Sequence, residues 1–245
     1  MMYLSRSPGI KLAYEFLPGK GPVVVFCPGY ASDMSGTKAM ALEAWCKAQG
    51  RPMLRFDYAG HGASEGVFTD NGIGDWAADA AFVVEQVLAT SDIILVGSSM
   101  GGWISLLLGV RLQAQLKAIV LLAPAPDFTE TLMERELTKE QRITLEQTGV
   151  VYQPSEYGAP LPFSRALIER SAGHLVMKDK IRITCPVRIL HGMKDRSVPW
   201  QLSLKLVETL ESEDVRLIYV KEGDHRLSEA QDLTLLEQTL AALLS

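Results

Sequence analysis

The sequence is poor in cysteine. Cys27, Cys46 and Cys185 lie far apart, form no C-x-x-C pair and make no even count, so nothing suggests a disulfide framework and a reducing compartment is the simplest expectation. Long apolar runs are missing too: the longest candidates, near Ile93 to Val96 and Ala118 to Ala123, are strand-sized, far short of the roughly 20 residues that a bilayer crossing needs. The start, M-M-Y-L-S-R-S-P-G, lacks an apolar core segment and an Arg-rich amphipathic presequence. These absences predict a cytoplasmic protein without a transmembrane segment, or a mitochondrial matrix protein if a presequence has been removed. A basic excess is absent as well. Lys and Arg number 24 against 29 Asp and Glu, a net charge of -5, which excludes nucleic acid bound over a broad face. Neither H-E-x-x-H nor G-x-x-x-x-G-K-[ST] occurs, and G-H-G-A-S-E-G departs from the dinucleotide-binding spacing, so no metal and no nucleotide cofactor is expected.

What is present is ordinary for a globular enzyme: 47% hydrophobic and 22% charged residues over 245 positions, enough for one α/β domain with a sizeable core. Short β-rich apolar runs at Val23–Phe26, Met53–Phe56, Ile93–Val96, Ile119–Leu122, Val187–Leu190 and Val215–Val220 are each bounded by turn residues and predict buried parallel strands. Helical stretches alternate with them, at Thr37–Gln49, Asp75–Ala89, Met100–Leu112, Gln201–Leu210 and Glu229–Leu244. The last is predicted to begin with Ser228 as its N-cap in a capping box, and Leu233, Leu236, Leu240 and Leu243 give it one apolar face. Such alternation predicts the α/β class, a mostly parallel sheet with helices on both faces. An edge hairpin is expected at Tyr3–Leu4 and Lys11–Phe16 around a Pro8-Gly9 turn. From Phe128 to Ile183 the rhythm fails: a charged helical stretch, T-L-M-E-R-E-L-T-K-E-Q-R, precedes a loop rich in Pro, Gly and Tyr and then more helix. The expectation is one domain, 1–245, carrying a helical cap insertion at about 129–183.

Two adjacent serines stand in L-V-G-S-S-M-G-G-W (95–103). Only Ser99 has glycine at both offsets of G-x-S-x-G, through Gly97 and Gly101. It follows a strand and opens a helix, the context of a nucleophile elbow. A serine hydroxyl needs a base. His61 precedes the serine in a G-H-G turn, His174 falls in the cap, and His191 ends a strand in H-G-M-K-D as a loop-shaping residue. His225 follows the last strand in E-G-D-H-R, which puts it at the carboxyl edge with Ser99. Asp195, on the loop of H-G-M-K-D-R-S-V-P-W, is the expected acid, with Asp127 as the minor alternative and Asp224 as a loop residue. Asp57, in R-F-D-Y, reads as structural. The order Ser99, Asp195, His225 is that of the α/β-hydrolases. Backbone N–H groups of Tyr30 and Met100 are the expected oxyanion donors. Met34, Trp103, Phe128, Phe163, Met177 and Trp200 are candidate substrate-binding residues, although apolar residues at such places are more often plain core.

Five segments, G-Y-A-S-D-M-S-G-T-K-A (29–39), R-F-D-Y-A-G-H-G-A-S-E-G (55–66), V-G-S-S-M-G-G-W (96–103), H-G-M-K-D-R-S-V-P-W (191–200) and D-H-R (224–226), resemble the α/β-hydrolase family of mitochondrial palmitoyl-protein thioesterases and mycophenolic acid acyl-glucuronide esterases. The resemblance runs from about Val23 to the C-terminus. It implies a serine hydrolase of activated acyl esters, S-palmitoyl thioesters or acyl glucuronides, with Ser99, Asp195 and His225 in the triad positions and no cofactor. Partners are then small acyl esters or thioesters, or S-acylated proteins. Two other classes stay open on the residues alone: a cofactor-free peroxidase or carbon–carbon bond hydrolase on the same triad, and a non-catalytic ligand-binding relative.

Overall fold

A computed structural model describes residues 1–6, 9–133, 137–156 and 158–244. The chain opens with an antiparallel hairpin, β1 (Met2–Arg6) and β2 (Ile10–Leu17), with Leu4 opposite Leu12. Pro8 of the expected turn lies outside the described residues; Gly9, at φ 103°, returns its N–H to the Arg6 carbonyl. Strand and helix then alternate through β3 (Val23–Cys27), α1 (Thr37–Ala48), β4 (Met53–Phe56), α2 (Ile73–Leu88), β5 (Ile93–Ser98), α3 (Met100–Arg111) and β6 (Leu116–Leu122). An excursion of α4 (Phe128–Thr131), α5 (Lys139–Thr148), β7 (Val150–Ser155), β8 (Gly158–Ser164) and α6 (Arg165–Ser171) follows. The chain returns through β9 (Val187–Gly192), α7 (Gln201–Thr209), β10 (Val215–Val220) and α8 (Ala230–Leu244).

Eight strands form one sheet in the order β1-β2-β4-β3-β5-β6-β9-β10, parallel from β4 to β10. The period-2 alternation of a strand decides which side each residue enters. Val23, Val25, Ile93, Leu95, Ile119 and Leu121 join Trp76 and Trp103 beneath α2 and α3. Their neighbours Val24, Phe26, Ile94, Val96 and Val120 pack with Leu42, Leu236 and Leu240 beneath α1 and α8. Because both faces are covered, the central strands read as continuous apolar runs, as their sequences require.

Three local expectations change. The Pro- and Gly-rich stretch expected to be loop is an antiparallel hairpin, pairing Val151 with Phe163 and Tyr152 with Pro162. A two-stranded ribbon leaves outward-facing positions where a proline forfeits no ladder hydrogen bond, so Pro154, Pro160 and Pro162 are tolerated. The charged helical stretch is not one helix. Residues 134–136 lie outside the described residues, and α5 restarts at a capping box in which Thr138 and Gln141 each accept the other's backbone N–H. The last helix starts at Ala230: Asp232 accepts the Glu229 N–H, while the Ser228 hydroxyl turns to the Arg226 carbonyl. The start is thus one residue later than predicted, with Asp232 rather than Ser228 supplying the side-chain cap.

A part-buried ion pair fastens the edge hairpin to the body. The Asp79 side chain on α2 is fully shielded, accepts the Ala59 N–H at 2.9 Å and pairs with Arg6 of β1. Burial pushes the Asp79 carboxyl above its ordinary range, against the pull of the Ala59 hydrogen bond and the Arg6 charge. A carboxyl whose folded pKa is raised costs the fold stability as pH rises through ionisation, and it costs more without its cation. Arg6→Ala should therefore destabilise the protein by about 2 kcal/mol near neutral pH. The gap from the parent should narrow as the pH falls and Asp79 takes up a proton, an outcome that urea unfolding at neutral and at acidic pH would check.

Candidate active site

The turn after β5 is held in a rare backbone conformation. Ser99 stands at φ 54°, ψ -118°, a conformation a non-glycine residue holds only where its surroundings impose it. Its N–H donates to the Leu122 carbonyl at 2.9 Å, and its carbonyl accepts the N–H groups of Gly102 and Ala125 at 2.8 and 3.1 Å. The flanking glycines are sterically required. A Cβ on Gly97 would lie 2.3 Å from the Gly101 carbonyl oxygen, and one on Gly101 would lie 2.0 Å from that of Cys27. Ser98 is still a strand residue, paired with Leu122 and buried.

Two loops bring the remaining polar groups to Ser99. His225, between β10 and α8, accepts the Ser99 hydroxyl through Nε2 at 3.0 Å and donates Nδ1–H to Asp195 Oδ2 at 2.7 Å. Asp195, after β9, has no exposed side-chain surface. Its Oδ1 accepts the N–H groups of Ser197 and Val198, each at 2.8 Å, and its Oδ2 also accepts from His191 Nε2 at 3.0 Å. Burial alone would raise this carboxyl, but hydrogen bonds from His191 and His225, the His225 charge and the Val198 N–H together hold it well below the usual range. The two segments can meet because residue 192 is glycine: a Cβ there would lie 2.3 Å from the Gly223 carbonyl oxygen. An imidazole held between a hydroxyl and a carboxylate can take the hydroxyl proton and keep the resulting charge.

Ser99, Met100, Tyr30 and His225 border one cavity of about 760 Å³. Met100 is the first residue of α3, so its N–H lacks an intrahelical acceptor. The loop carrying Tyr30 passes close to the elbow, a Cβ on Gly29 being 3.4 Å from Ser99 Cβ. The Tyr30 ring stacks on Phe163 with centroids 5.3 Å apart, and its hydroxyl donates to the Pro162 carbonyl. Burial raises this phenol far above its ordinary pKa.

Of the expected substrate-binding residues, Phe128 and Phe163 stand on the cavity wall; Met34, Trp103, Met177 and Trp200 do not. Trp103 is fully buried and donates its indole N–H to the His174 carbonyl, and Met34 is core. Met177 packs against the α2–α3 side of the core, and Trp200 stands edge-on to Tyr219. A neighbouring motif marks such residues for burial without saying on which side. Asp127 accepts the N–H groups of Val176 and Met177, far from any role with His225, and Asp57 accepts those of Met34 and Ala63. Asp224 shapes its loop through the N–H groups of Arg226 and Leu227. His61 is buried against Phe68 and Trp76, where burial lowers its pKa to about 4, and His174 is exposed. Sequence reasoning missed the wall residues Lys38, Leu161, Pro162 and Arg226. It also took His191 for a loop shaper, since nothing in a strand-end histidine announces the hydrogen bond it makes to Asp195.

The sequence profile of the serine aminopeptidase, S33 family matches residues 20–156. The mitochondrial palmitoyl-protein thioesterase ABHD10 of Mus musculus is 39% identical over this entire chain and 82% of its own length. A crystal structure of a protein from Agrobacterium vitis S4 superposes with a TM-score of 0.94 at 40% identity, covering 100% of this chain and 97% of that one. The mouse α/β-hydrolase domain-containing protein 10 superposes with a TM-score of 0.90 at 38% identity over 99% and 97%.

The elbow itself is testable without substrate. The obstruction facing Gly101 is a backbone carbonyl that cannot swing aside, so Gly101→Ala should cost about 3 kcal/mol. At roughly 2–4 °C per kcal/mol for a domain of this size, calorimetry should show a clear fall in Tm. An unchanged Tm would mean the turn can open.

Proposed function

Given that the chain belongs to the serine aminopeptidase, S33 family of α/β-hydrolases and is a hydrolase of esters or thioesters, we propose that it works by acyl transfer to Ser99 through a Ser99–His225–Asp195 triad. The observation that carries this reading is the unbroken hydrogen-bonded series, 3.0 Å from Ser99 to His225 and 2.7 Å from His225 to Asp195. Ser99 Oγ attacks the acyl carbon while His225 Nε2 takes its proton. Asp195 keeps the Nδ1–H tautomer and stabilises the imidazolium. The N–H groups of Tyr30 and Met100 receive the oxyanion, each donor of this kind being worth about 10²–10³ in rate. His225 then protonates the leaving alcohol or thiol, and in the second half activates the water that releases the acid.

The cavity indicates how a substrate divides. Phe128, Leu161 and Phe163 offer an apolar side suited to the acyl chain, and Ser32, Lys38, Arg226 and Ser228 offer a polar one. The reading favoured by the relatives is a thioesterase acting on S-acylated proteins. The polar wall favours a second, an ester with a polar or acidic leaving group such as an acyl glucuronide. Free cysteines, two of them buried, suit a reducing compartment, cytoplasmic or mitochondrial matrix; the relatives are mitochondrial by name.

Ser99→Ala should abolish ester turnover and fluorophosphonate labelling while Ser98→Ala keeps both. Asp195→Asn should fold and lose about 10⁴-fold in kcat, with Asp127→Asn much milder per folded molecule; labelling of Ser99→Ala, or the reverse ranking of the acids, defeats the assignment. On p-nitrophenyl esters and acyl thioesters of graded length, kcat/KM should rise by up to about fourfold per methylene, the factor for about 0.8 kcal/mol of full burial, until the apolar side is filled. Changing Leu161 and Phe163 to Ser should flatten the slope. Activity that peaks at acetyl and falls steadily with length would count against depalmitoylation and favour the polar leaving group.

A further inference from the structure

His191 is the second imidazole on Asp195, and nothing in the acyl-transfer scheme uses it. It is the penultimate residue of β9, fully buried, and both of its nitrogens are engaged: Nδ1 with the hydroxyl of Ser203 on α7 at 2.7 Å, Nε2 with Asp195 Oδ2 at 3.0 Å and the Val198 carbonyl at 3.3 Å. Both partners of Nε2 are acceptors, so that nitrogen carries the hydrogen. In the neutral ring Nδ1 is then an acceptor, and the Ser203 hydroxyl donates to it. His225, on the same carboxylate oxygen, donates from Nδ1.

We infer that His191 is a positioning residue for the acid, held by Ser203 in the tautomer opposite to that of His225. The inference rests on the triad reading given above. Its physical content is the orientation of one carboxylate. The N–H groups of Ser197 and Val198 fix Oδ1 alone, so with these two donors only, the carboxylate can turn about that oxygen. The His191 N–H occupies one lone pair of Oδ2 and leaves another aimed at His225. It also takes a share of the negative charge that would otherwise stabilise the His225 imidazolium. Removing the donor therefore has two separable consequences: His225 is oriented less well, and its protonated form is favoured more, moving the acid limb of kcat/KM to higher pH. Charged groups on the surrounding elements include Lys38 of α1, Glu156 at the β7–β8 hairpin, Lys194 and Arg196 on the Asp195 loop, Lys205 and Glu208 of α7, and Glu222, Asp224 and Arg226 on the His225 loop. All are retained in the variants below.

Two measurements test the inference. In the wild-type protein, nitrogen-15 NMR of labelled histidine should show His191 protonated at Nε2 and His225 at Nδ1; Nδ1-protonated His191 overturns it. In kinetics, His191→Leu should lower kcat by up to roughly 100-fold, the scale of a small misplacement remote from the chemistry, with KM little changed and the acid limb moved up. His191→Gln, which can still present an N–H to Oδ2, should recover most of the loss. Ser203→Ala, which leaves Asp195 untouched, should give a smaller loss in the same direction. If His191→Leu does not fold, Ser203→Ala and the tautomer measurement still decide. A folded His191→Leu or Ser203→Ala protein with parental kcat and an unmoved acid limb overturns the inference. An active Ser99→Ala protein would instead strike the triad reading and leave the tautomers as measured.

Discussion

The backbone of Ser99 is the constraint on which the carboxyl edge depends. A serine at positive φ costs of order 1–3 kcal/mol and persists only where its neighbours leave it no alternative. Here Leu122 of the adjacent strand takes its N–H, the first turn of α3 and Ala125 take its carbonyl, and the carbonyl of Cys27 presses on Gly101 from the other side. Three neighbouring strands, β3, β5 and β6, thus close around one residue. The same closure projects the hydroxyl from the sheet edge and brings the Met100 N–H to the same cavity.

The second constraint is charge. A carboxylate without exposed side-chain surface is stable only if hydrogen bonding compensates for lost hydration, and Asp195 has two backbone donors and two imidazoles. With its pKa held low by those bonds, it remains a carboxylate, as the proposed role beside His225 requires. The approach of the His225 loop to the end of β9 in turn depends on glycine at 192, where a Cβ would meet the carbonyl oxygens of Gly223 and Asp224.

The excursion between β6 and β9 is joined to this edge through Tyr30. The loop that carries it lies against the elbow at Gly29, its ring stacks on Phe163 of β8, and its hydroxyl holds the Pro162 carbonyl. One residue therefore couples the expected oxyanion loop to the hairpin whose Leu161, Pro162 and Phe163 line the cavity. The aromatic wall it builds with Phe128 and Phe163 gives the cavity its apolar side. The polar side comes from α1 and the His225 loop, two elements distant in sequence.

Much of this was legible in the sequence because it is local or periodic. Apolar runs such as Val23–Phe26 and Ile93–Val96 announce strands covered on both faces, and glycines two residues either side of Ser99 distinguish it from Ser98 by sterics alone. The order of Ser99, Asp195 and His225 along the chain, each just beyond a strand, places all three at one sheet edge once the strands are parallel. What tertiary structure decided is which side of an element meets which neighbour. Trp103 and Met34 are as apolar as Phe128 and Phe163, yet only the latter pair reaches the cavity, since burial is a property of composition and facing is a property of packing. The prolines of the cap hairpin signal loop until a partner strand is present to leave their nitrogens outward. His191 looks like any strand-end histidine until the fold sets Ser203 on one of its nitrogens and Asp195 on the other; a hydrogen-bonded contact such as that to Ser203 is chosen by distance in space, which spacing along the chain does not encode.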